Sequence, residues 1–207
     1  MEYQELELKY YVLDLARIET SLTALGAVCD QPRTQEINLR FDTPDYSLSR
    51  EGKALRLRYD TQARLTYKGP SQSEEGIRLR EEIEFVVDNF QAARTFLIAL
   101  GYQVSLIYEK YRSGYLLGDV HILLDELPYG NFVEIEGPNP EKILAVNQQL
   151  GLNWEKRIPE SYTILFERLR LTKGLTFRDL IFENFQELPV TSADLEVQPA
   201  DIQDYVS

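Results

Sequence analysis

Charged and aliphatic residues alternate over the first two-thirds of this chain, and this alternation constrains the fold more than any other feature of the sequence. Leu55 and Leu57, for example, are interleaved with Arg56 and Arg58. A period of two is typical of β-strands, because successive side chains point to opposite faces. We predict eight strands, at residues 4–10, 36–42, 54–59, 64–68, 77–85, 102–115, 120–125 and 132–136. In the sixth strand the alternation is less regular, and we expect Val104 and Leu106 to share a face there.

The polar faces of these strands carry almost only fully charged side chains. The wet face of an ordinary half-exposed sheet also carries many uncharged polar residues. The basic members here are Lys9, Arg40, Arg56, Arg58, Lys68, Arg80, Lys110 and Arg112. The acidic members are Glu5, Glu7, Glu82, Glu84, Asp125, Glu134 and Glu136. One interpretation is that they are solvated charges on the outside of an open antiparallel sheet.

Helices between the strands favour a different interpretation. Apolar residues recur at helical spacing after Asp14, a predicted N-cap, and in segments that end at Gly26, Gly101 and Gly151. A fourth helix is predicted near residues 162–169, and a short one near Thr176. The apolar stripes of these helices must bury against the aliphatic strand faces, so the charged faces turn inward. We therefore predict an α+β fold, an eight-stranded antiparallel closed β-barrel, or tunnel, with a charged interior and helices packed outside.

Length, charge and cysteine content set the remaining bounds. The 207 residues suit one domain, and we expect the tunnel in residues 1–170, with residues 171–207 as a C-terminal helix and an acidic tail or strip on the barrel. The net charge of -12 argues against nucleic-acid and membrane partners. A single cysteine, Cys29, and the lack of a signal-like start or a long apolar stretch fit a cytoplasmic protein.

An interior that carries both signs of charge favours a ligand that also carries both signs. Burying ions costs several kcal/mol each unless partners compensate. A polyphosphate with its divalent cation meets this requirement: arginine and lysine bind phosphate oxygens, and carboxylates supply the hard oxygen ligands of Mg²⁺ or Mn²⁺. Each short charged motif alone is weak evidence for such a ligand, but the occurrence of all of them on the same face of their strands is much stronger evidence.

In this order the motifs resemble those of the CYTH superfamily, the triphosphate tunnel metalloenzymes, which includes class IV adenylate cyclases, thiamine triphosphatases and inorganic triphosphatases. The resemblance runs from Glu5 to Tyr162 through the segments ELELK, RFDTPDYSL, LRLR, LTYKGP, RLREEIE, EKYR, LLDELPYGNFVEIEG and SY. Several ordered motifs over about three-quarters of the chain make the resemblance specific.

The resemblance implies roles for individual residues. The metal ligands would be Glu5, Glu7, Glu134 and Glu136, assisted by Asp125 and Glu84. The triphosphate would be held by Lys9, Arg56, Arg58, Lys68, Arg80, Lys110 and Arg112. Lys9 would also align the phosphates, and Glu82 or Glu84 would orient the attacking water. Asp42 and Thr43 are expected to be structural, and either Lys156 or Arg157 is expected to face the tunnel end.

Three functions remain open at this stage. The leading hypothesis is divalent-metal-dependent hydrolysis of inorganic triphosphate, thiamine triphosphate or a nucleoside triphosphate by a monomer or homodimer. The second is cyclisation of ATP to cyclic AMP and pyrophosphate, and the third is a non-enzymatic polyphosphate-binding module. His121 is in phase with Asp125 and would be a general base, but we interpret it as a rim or packing residue.

Overall fold

The computed structural model describes residues 4–70, 72–74 and 77–202, and side chains in residues 6–70 and 79–202. Its strands are β1 (Gln4–Val12), β2 (Val28–Asp42), β3 (Ala54–Tyr59), β4 (Ala63–Lys68), β5 (Gln72–Glu74), β6 (Ile77–Val87), β7 (Gln103–Leu117), β8 (Val120–Leu127) and β9 (Gly130–Glu136). Its α-helices are α1 (Leu15–Ala24), α2 (Ser47–Arg50), α3 (Phe90–Ala99), α4 (Pro140–Leu150) and α5 (Tyr162–Lys173). Two short 3-10 helices follow at Trp154–Lys156 and Phe182–Phe185.

Eight of the strands form a closed antiparallel ring. The order is β1-β9-β8-β7-β2-β3-β4-β6, and pairing of β1 with β6 closes it. The short β5 pairs with the beginning of β6 and adds no member to the ring. Every described pairing between two of these nine strands is antiparallel. The predicted α+β fold with an eight-stranded tunnel is confirmed.

The aliphatic strand faces point outward, and helices cover part of them, whereas Ile83 and Phe85 of β6 stay about half exposed. Leu8 pairs with Ile135 across β1 and β9, and both belong to a buried cluster that also contains Ile18 of α1 and Ile143 of α4. The alternate pair, Lys9 with Glu134, therefore faces the interior. This arrangement is the reverse of an ordinary soluble sheet, and it is the one that the charged strand faces predict.

A second buried cluster plugs one end of the ring. It joins Phe132 and Tyr108 of the ring to Tyr162, Leu165 and other residues of α5. Segments after α5 complete this cluster, since Leu180 and Leu195 are fully buried in it and backbone bridges join Leu180 to Tyr108 and Pro199 to Tyr11. The C-terminal part therefore lies on the barrel up to residue 202 instead of forming a free tail.

Most predicted helix boundaries agree with the structure. Asp14 accepts a hydrogen bond from the Arg17 amide at the start of α1, and α4 ends at Gly151, which has a left-handed backbone with φ of 65°. The short helix predicted after Leu171 does not begin at Thr176, because residues 175–179 form neither helix nor strand and Leu180 bridges to β7; a 3-10 helix follows at Phe182–Phe185. Within the described ranges, none of the helices is both long and apolar enough to cross a membrane.

The predicted common face for Val104 and Leu106 is also wrong. Opposite β7, Arg40 pairs with Leu106 and Phe41 with Val104, so one residue of β7 has no partner at this point. This bulge changes the phase of the strand. Val104 packs in the outer cluster with Phe41, whereas Leu106 joins the cluster at the plugged end.

Candidate active site

The ring encloses a cavity of about 480 Å³ whose lining is dominated by charged side chains. Among the described residues, nine basic and six acidic side chains line it. The basic residues are Lys9, Arg40, Arg56, Arg58, Arg64, Lys68, Arg80, Lys110 and Arg112. The acidic residues are Glu7, Asp60, Glu82, Glu84, Glu134 and Glu136. The cavity is thus net positive in a chain whose formal charge is -12.

Three carboxylates form an acidic group on one side of this cavity. Glu7 lies on β1 and Glu134 and Glu136 lie on β9, and each offers an oxygen within 4.8 Å of the others. The register makes this possible, because Glu7 is directly opposite Glu136 and Lys9 is opposite Glu134. Glu7 and Glu134 are buried, and Glu136 is partly buried. Three convergent carboxylate oxygens fit the hard-ligand preference of a divalent cation such as Mg²⁺ or Mn²⁺.

Lys9 adjoins the acidic group and is held on two other sides. Its Nζ lies 3.2 Å from Oε1 of Glu134, 3.4 Å from the carbonyl oxygen of Glu160, and 4.4 Å from the centre of the Tyr162 ring. Burial alone would raise the pKa of Glu134, but the charges of Lys9 and Arg112 outweigh it and hold that pKa well below its usual value. Glu134 is therefore an anion at neutral pH.

The opposite side of the ring is basic. Strands β2 and β3 lie half a ring away from β1 and β9, and they contribute Arg40, Arg56 and Arg58. Carboxylates lie among these arginines: Glu84 is 3.6 Å from Arg56 and 3.1 Å from Arg58, and Arg58 also lies 3.5 Å from Glu36 and 3.7 Å from Asp60. Burial is the main cause that lowers the pKa of Arg58, and the positive charge of Arg56 lowers it further, although Glu36 and Glu84 act in the opposite direction. Such a surface attracts phosphate oxygens.

The remaining basic residues each contact a fixed partner. Lys68 of β4 lies 2.8 Å from Glu82 of β6, and Arg80 donates a 2.8 Å hydrogen bond to the Gly69 carbonyl oxygen. Glu84, the other predicted water-orienting carboxylate, accepts a 2.7 Å hydrogen bond from the Thr66 hydroxyl. All three of the predicted catalytic residues, Lys9, Glu82 and Glu84, therefore border one cavity.

Asp125 does not join the acidic group. Its two oxygens accept hydrogen bonds from Arg112 at 2.6 and 2.5 Å, from Lys110 at 3.0 Å and from the Tyr162 hydroxyl at 2.8 Å. It is fully buried and does not line the cavity. In this arrangement Asp125 fixes two predicted phosphate-binding cations and the first residue of α5, and all its oxygens face those donors. The sequence resemblance placed it with the metal ligands instead.

Several other predicted residues can now be located. Glu5 pairs with Arg80 across β1 and β6, but its side chain lies outside the described residues. His121 is half-exposed at the rim, 3.5 Å from Asp30. Neither Lys156 nor Arg157 lines the cavity, and the Arg157 guanidinium stacks on Trp154 at 4.6 Å. Asp42 accepts hydrogen bonds from the amides of residues 43, 48 and 49, so its predicted structural role agrees with its contacts.

Sequence reasoning missed some of the residues that shape this site. Glu36 alternates in phase with Arg40 and Asp42 of β2, so the sequence pattern places it inside the ring, but no role was predicted for it. Tyr108 accepts a 3.3 Å hydrogen bond from Arg56, and Tyr162 bonds to Asp125, yet nothing in the local pattern distinguishes them from packing tyrosines. Asp60 and Arg64 form an ion pair at the cavity edge that depends on the turn between β3 and β4.

The closed ring and its two-sided interior define a tunnel protein, in which the ligand site is enclosed by strands rather than built on loops. Residues 3–162 match the family model of the CYTH domain, and the chain belongs to this family. The predicted family is therefore confirmed. Members of this family act as triphosphatases or class IV adenylate cyclases, and the prediction of an enzyme is confirmed at that level.

Similar proteins carry names of both kinds. The adenylate cyclase CyaB of Aeromonas hydrophila is 33% identical over an alignment of 177 positions, and the match covers 79% of this chain and 89% of that protein. A putative adenylate cyclase structure from Vibrio parahaemolyticus has a TM-score of 0.73 at 25% identity and covers 81% of this chain and 99% of its own. The structure of the putative adenylyl cyclase HpAC1 from Hippeastrum, which has a dominant triphosphatase activity, has a TM-score of 0.60 and covers 79% of this chain and 95% of its own. At 17% identity this likeness shows the shared fold.

Proposed function

We propose that this chain is a divalent-metal-dependent triphosphatase that hydrolyses inorganic triphosphate, thiamine triphosphate or a nucleoside triphosphate inside the ring. The observation that carries the proposal is the arrangement of charge in the cavity: three convergent carboxylates on one side, with Lys9 and Arg112 in contact with Glu134, and Arg40, Arg56 and Arg58 half a ring away. A triphosphate complexed with a cation matches both sides. Phosphoryl transfer depends mostly on positioning and on neutralising negative charge, which is what such a cavity supplies.

The basic residues would bind the phosphates. Arg56 and Arg58 present guanidinium forks that suit two oxygens each, and Lys68, Arg80, Lys110 and Arg112 surround the cavity from three other strands. Lys9 lies between the basic residues and the acidic group, 3.2 Å from Glu134, so it would align a phosphate next to that group. Glu82 or Glu84 would accept a hydrogen bond from the attacking water and orient it.

Glu7, Glu134 and Glu136 would hold the divalent cation, with Glu5 of the same β1 face as a further candidate. The donor set fits Mg²⁺ or Mn²⁺, since all three described donors are carboxylates. A cation held there supplies positive charge that stabilises developing negative charge on phosphate oxygens. Asp125 would act by positioning Arg112 and Lys110.

A substrate panel tests the proposal directly. Tripolyphosphate, thiamine triphosphate and ATP are each incubated with Mg²⁺ or Mn²⁺, and released orthophosphate is measured. Glu134→Gln should lower turnover by orders of magnitude with the fold retained, because it removes one carboxylate of the acidic group. Glu167→Gln, the same change at a 58% exposed side chain on α5, is the matched control. Near-normal rates in Glu134→Gln would overturn the assignment of the acidic group.

A second candidate is a class IV adenylate cyclase, which the 33% identity to the Aeromonas protein favours. The residues that line the cavity favour the hydrolase instead. Its described aromatic side chains, Tyr108 and Tyr162, are both buried, and the ring of Tyr162 faces Lys9, so neither offers an open face on which adenine could stack. Incubation with ATP and Mn²⁺ separates the two activities: cyclic AMP with pyrophosphate indicates the cyclase, and orthophosphate indicates the hydrolase.

A further inference from the structure

Glu36 is a buried anion that lies behind the basic side of the cavity. It is near the middle of β2, faces the interior opposite Lys110 of β7, and has no exposed surface. It does not line the cavity. The cations in front of it, Arg58 and Lys110, do line the cavity and are among the proposed phosphate-binding residues. A ligand and Glu36 would therefore meet the same two cations from opposite sides.

The contacts of Glu36 are those of a counter-ion rather than of an anchor. Oε1 lies 3.5 Å from Nη1 of Arg58 and Oε2 lies 3.5 Å from Nζ of Lys110. Within the described residues neither oxygen accepts a hydrogen bond. The same cations have closer partners elsewhere, Glu84 at 3.1 Å from Arg58 and Asp125 at 3.0 Å from Lys110. Those closer carboxylates fix the geometry, so the main contribution of Glu36 is its charge.

The carboxylate of Glu36 is ionised in this environment. Burial would raise its pKa, but the positive charges of Lys110, Arg112, Arg58 and Arg56 outweigh burial and lower the pKa to about 2. Four cations thus act on Glu36, and each of them also lies near Asp125 or Glu84. Charge interactions in a protein interior are stronger and longer-ranged than in water, so this anion reduces the positive potential in the cavity in front of it.

We propose that Glu36 is an affinity-setting counter-ion, which competes with phosphate oxygens for Arg58 and Lys110 and so limits how tightly the cavity holds triphosphate and its products. The inference rests on the proposed function and extends it. A cavity with nine cations is at risk of binding its product too tightly to release it. Binding that is equally strong for substrate and transition state does not raise kcat, so an internal anion that weakens it removes no catalytic benefit.

Two substitutions test this inference: one removes a negative charge beside the basic residues, and the other adds one. Glu36→Gln keeps the shape and removes the charge, so tripolyphosphate should bind about tenfold more tightly, equivalent to about 1.4 kcal/mol. Asn38→Asp instead introduces a negative charge next to the basic residues. Asn38 is the cross-strand neighbour of Arg58, is fully buried, and has no hydrogen bond on either amide atom within the described residues, so aspartate fits its space and adds an anion. Tripolyphosphate should bind Asn38→Asp about tenfold more weakly.

Binding of tripolyphosphate is measured by calorimetry without added metal, and KM and kcat are measured with metal. In Glu36→Gln we expect the KM to fall, kcat not to rise, and inhibition by pyrophosphate to strengthen. Without ligand, the melting temperature of Glu36→Gln should lie below that of the wild type, and tripolyphosphate should close the gap. Glu36→Asp, which keeps the charge, should bind nearly as the wild type does, and Glu167→Gln should be unchanged.

The possible results distinguish a failure of this inference from a failure of the proposed function. If the wild type does not bind tripolyphosphate, the proposed function fails. If the wild type binds it and Glu36→Gln binds with equal or lower affinity, the counter-ion role is overturned while the function stands. A purely structural role for this part of β2 predicts that Glu36→Gln and Asn38→Asp both weaken binding. If Glu36→Gln does not fold, Asn38→Asp decides, because unchanged or tighter binding there contradicts the inference.

Discussion

Individual charged residues in the ring depend on neighbours that come from distant parts of the chain. Asp125 on β8 accepts hydrogen bonds from Arg112 and Lys110 on β7 and from Tyr162 on α5. Removing one partner from a buried charge costs more than the pair contributes, because the remaining charge stays desolvated. Substitutions at these residues therefore report on both stability and the geometry of the cavity.

Tyr162→Phe isolates one of these contacts. It removes the 2.8 Å hydrogen bond to Asp125 but keeps the ring 4.4 Å from Lys9. A hydrogen bond to a charged group contributes about 1.5–3 kcal/mol. We expect a lower melting temperature and a KM for tripolyphosphate raised about three- to tenfold, because Asp125 holds Arg112 and Lys110 less firmly. Steady-state kinetics provide the measurement, Tyr46→Phe at a half-exposed residue is the control, and an unchanged KM would contradict a positioning role.

The ionisation of Glu36 also predicts how stability depends on pH. Its folded pKa of about 2 lies below its ordinary value of 4.5, so the charged form stabilises the fold above pH 4.5, and this contribution is lost as the pH falls toward 2. The free energy of unfolding of the wild type should exceed that of Glu36→Gln by up to about 3 kcal/mol at neutral pH, and the difference should vanish near pH 2. Denaturant unfolding at several pH values measures it. A constant difference would mean that folding leaves the pKa of Glu36 unchanged, which would contradict its lowered value.

At the scale of elements, short segments fix the ends of strands that carry site residues. Strand β2 ends at Asp42, whose carboxylate accepts amide hydrogen bonds at 2.8–3.0 Å from residues 43, 48 and 49 and so caps α2. Although burial would raise the pKa of Asp42, the hydrogen bonds from Ser49, Thr43 and Leu48 lower it. The turn holds the end of β2, which also carries Arg40 and Glu36.

Asp42→Ala should destabilise the fold without removing a site residue. Three backbone amides lose the buried carboxylate that accepts their hydrogen bonds, which corresponds to about 1–3 kcal/mol. The midpoint of denaturant unfolding should fall, while kcat of the folded enzyme at low temperature stays near normal. Asp45→Asn, at a 64% exposed side chain of the same turn, is the control and should leave the midpoint unchanged. A large loss of kcat in a folded Asp42→Ala enzyme would instead indicate a direct role in the reaction.

The C-terminal segment behaves as part of the barrel rather than as an appendage. Leu195 is fully buried in the cluster at the plugged end, and the carboxylate of Asp201 accepts hydrogen bonds from the amides of Leu13 and Asp14. Leu195→Ala should lower the free energy of unfolding by about 2–5 kcal/mol. Leu171→Ala, at an 84% exposed residue, should change it by less than about 0.5 kcal/mol. Equal effects in thermal unfolding would show that the segment does not contribute to the core.

Much of the whole molecule follows from local sequence patterns, and the remainder depends on long-range contacts. Alternation predicted the ring because each strand needed only its own residues to define two faces, as in β3 with Leu57 outside and Arg58 inside. It did not predict the first half of β2, because residues 28–35 do not alternate and pair with β7 through register shifts. The contact of Tyr162 with Asp125 spans 37 residues, and no local pattern encodes it.

The difference between local patterns and long-range contacts also explains which features of the site could be predicted from the sequence. Phase places Glu7, Glu134 and Glu136 inside the ring, the family resemblance assigned them to the metal, and the pairing of β1 with β9 brings them together. The separation of Asp125 from that group depends on side-chain partners rather than on phase, because Asp125 and Glu134 both point inward. Phase therefore predicts which side chains enter the ring, and packing at the plugged end decides which of them remain available to a ligand.

The two sides of the ring should be separable by experiment. Glu136 belongs to the acidic group, and Arg56 lies half a ring away on β3. Glu136→Gln should weaken Mn²⁺ binding at least about tenfold and leave tripolyphosphate binding without metal unchanged or tighter, since it removes a negative charge. Arg56→Ala should weaken tripolyphosphate binding by a similar factor and spare Mn²⁺ binding. Calorimetry with each ligand alone gives the four affinities. If both variants change both affinities equally, metal and phosphate do not occupy opposite sides of the ring.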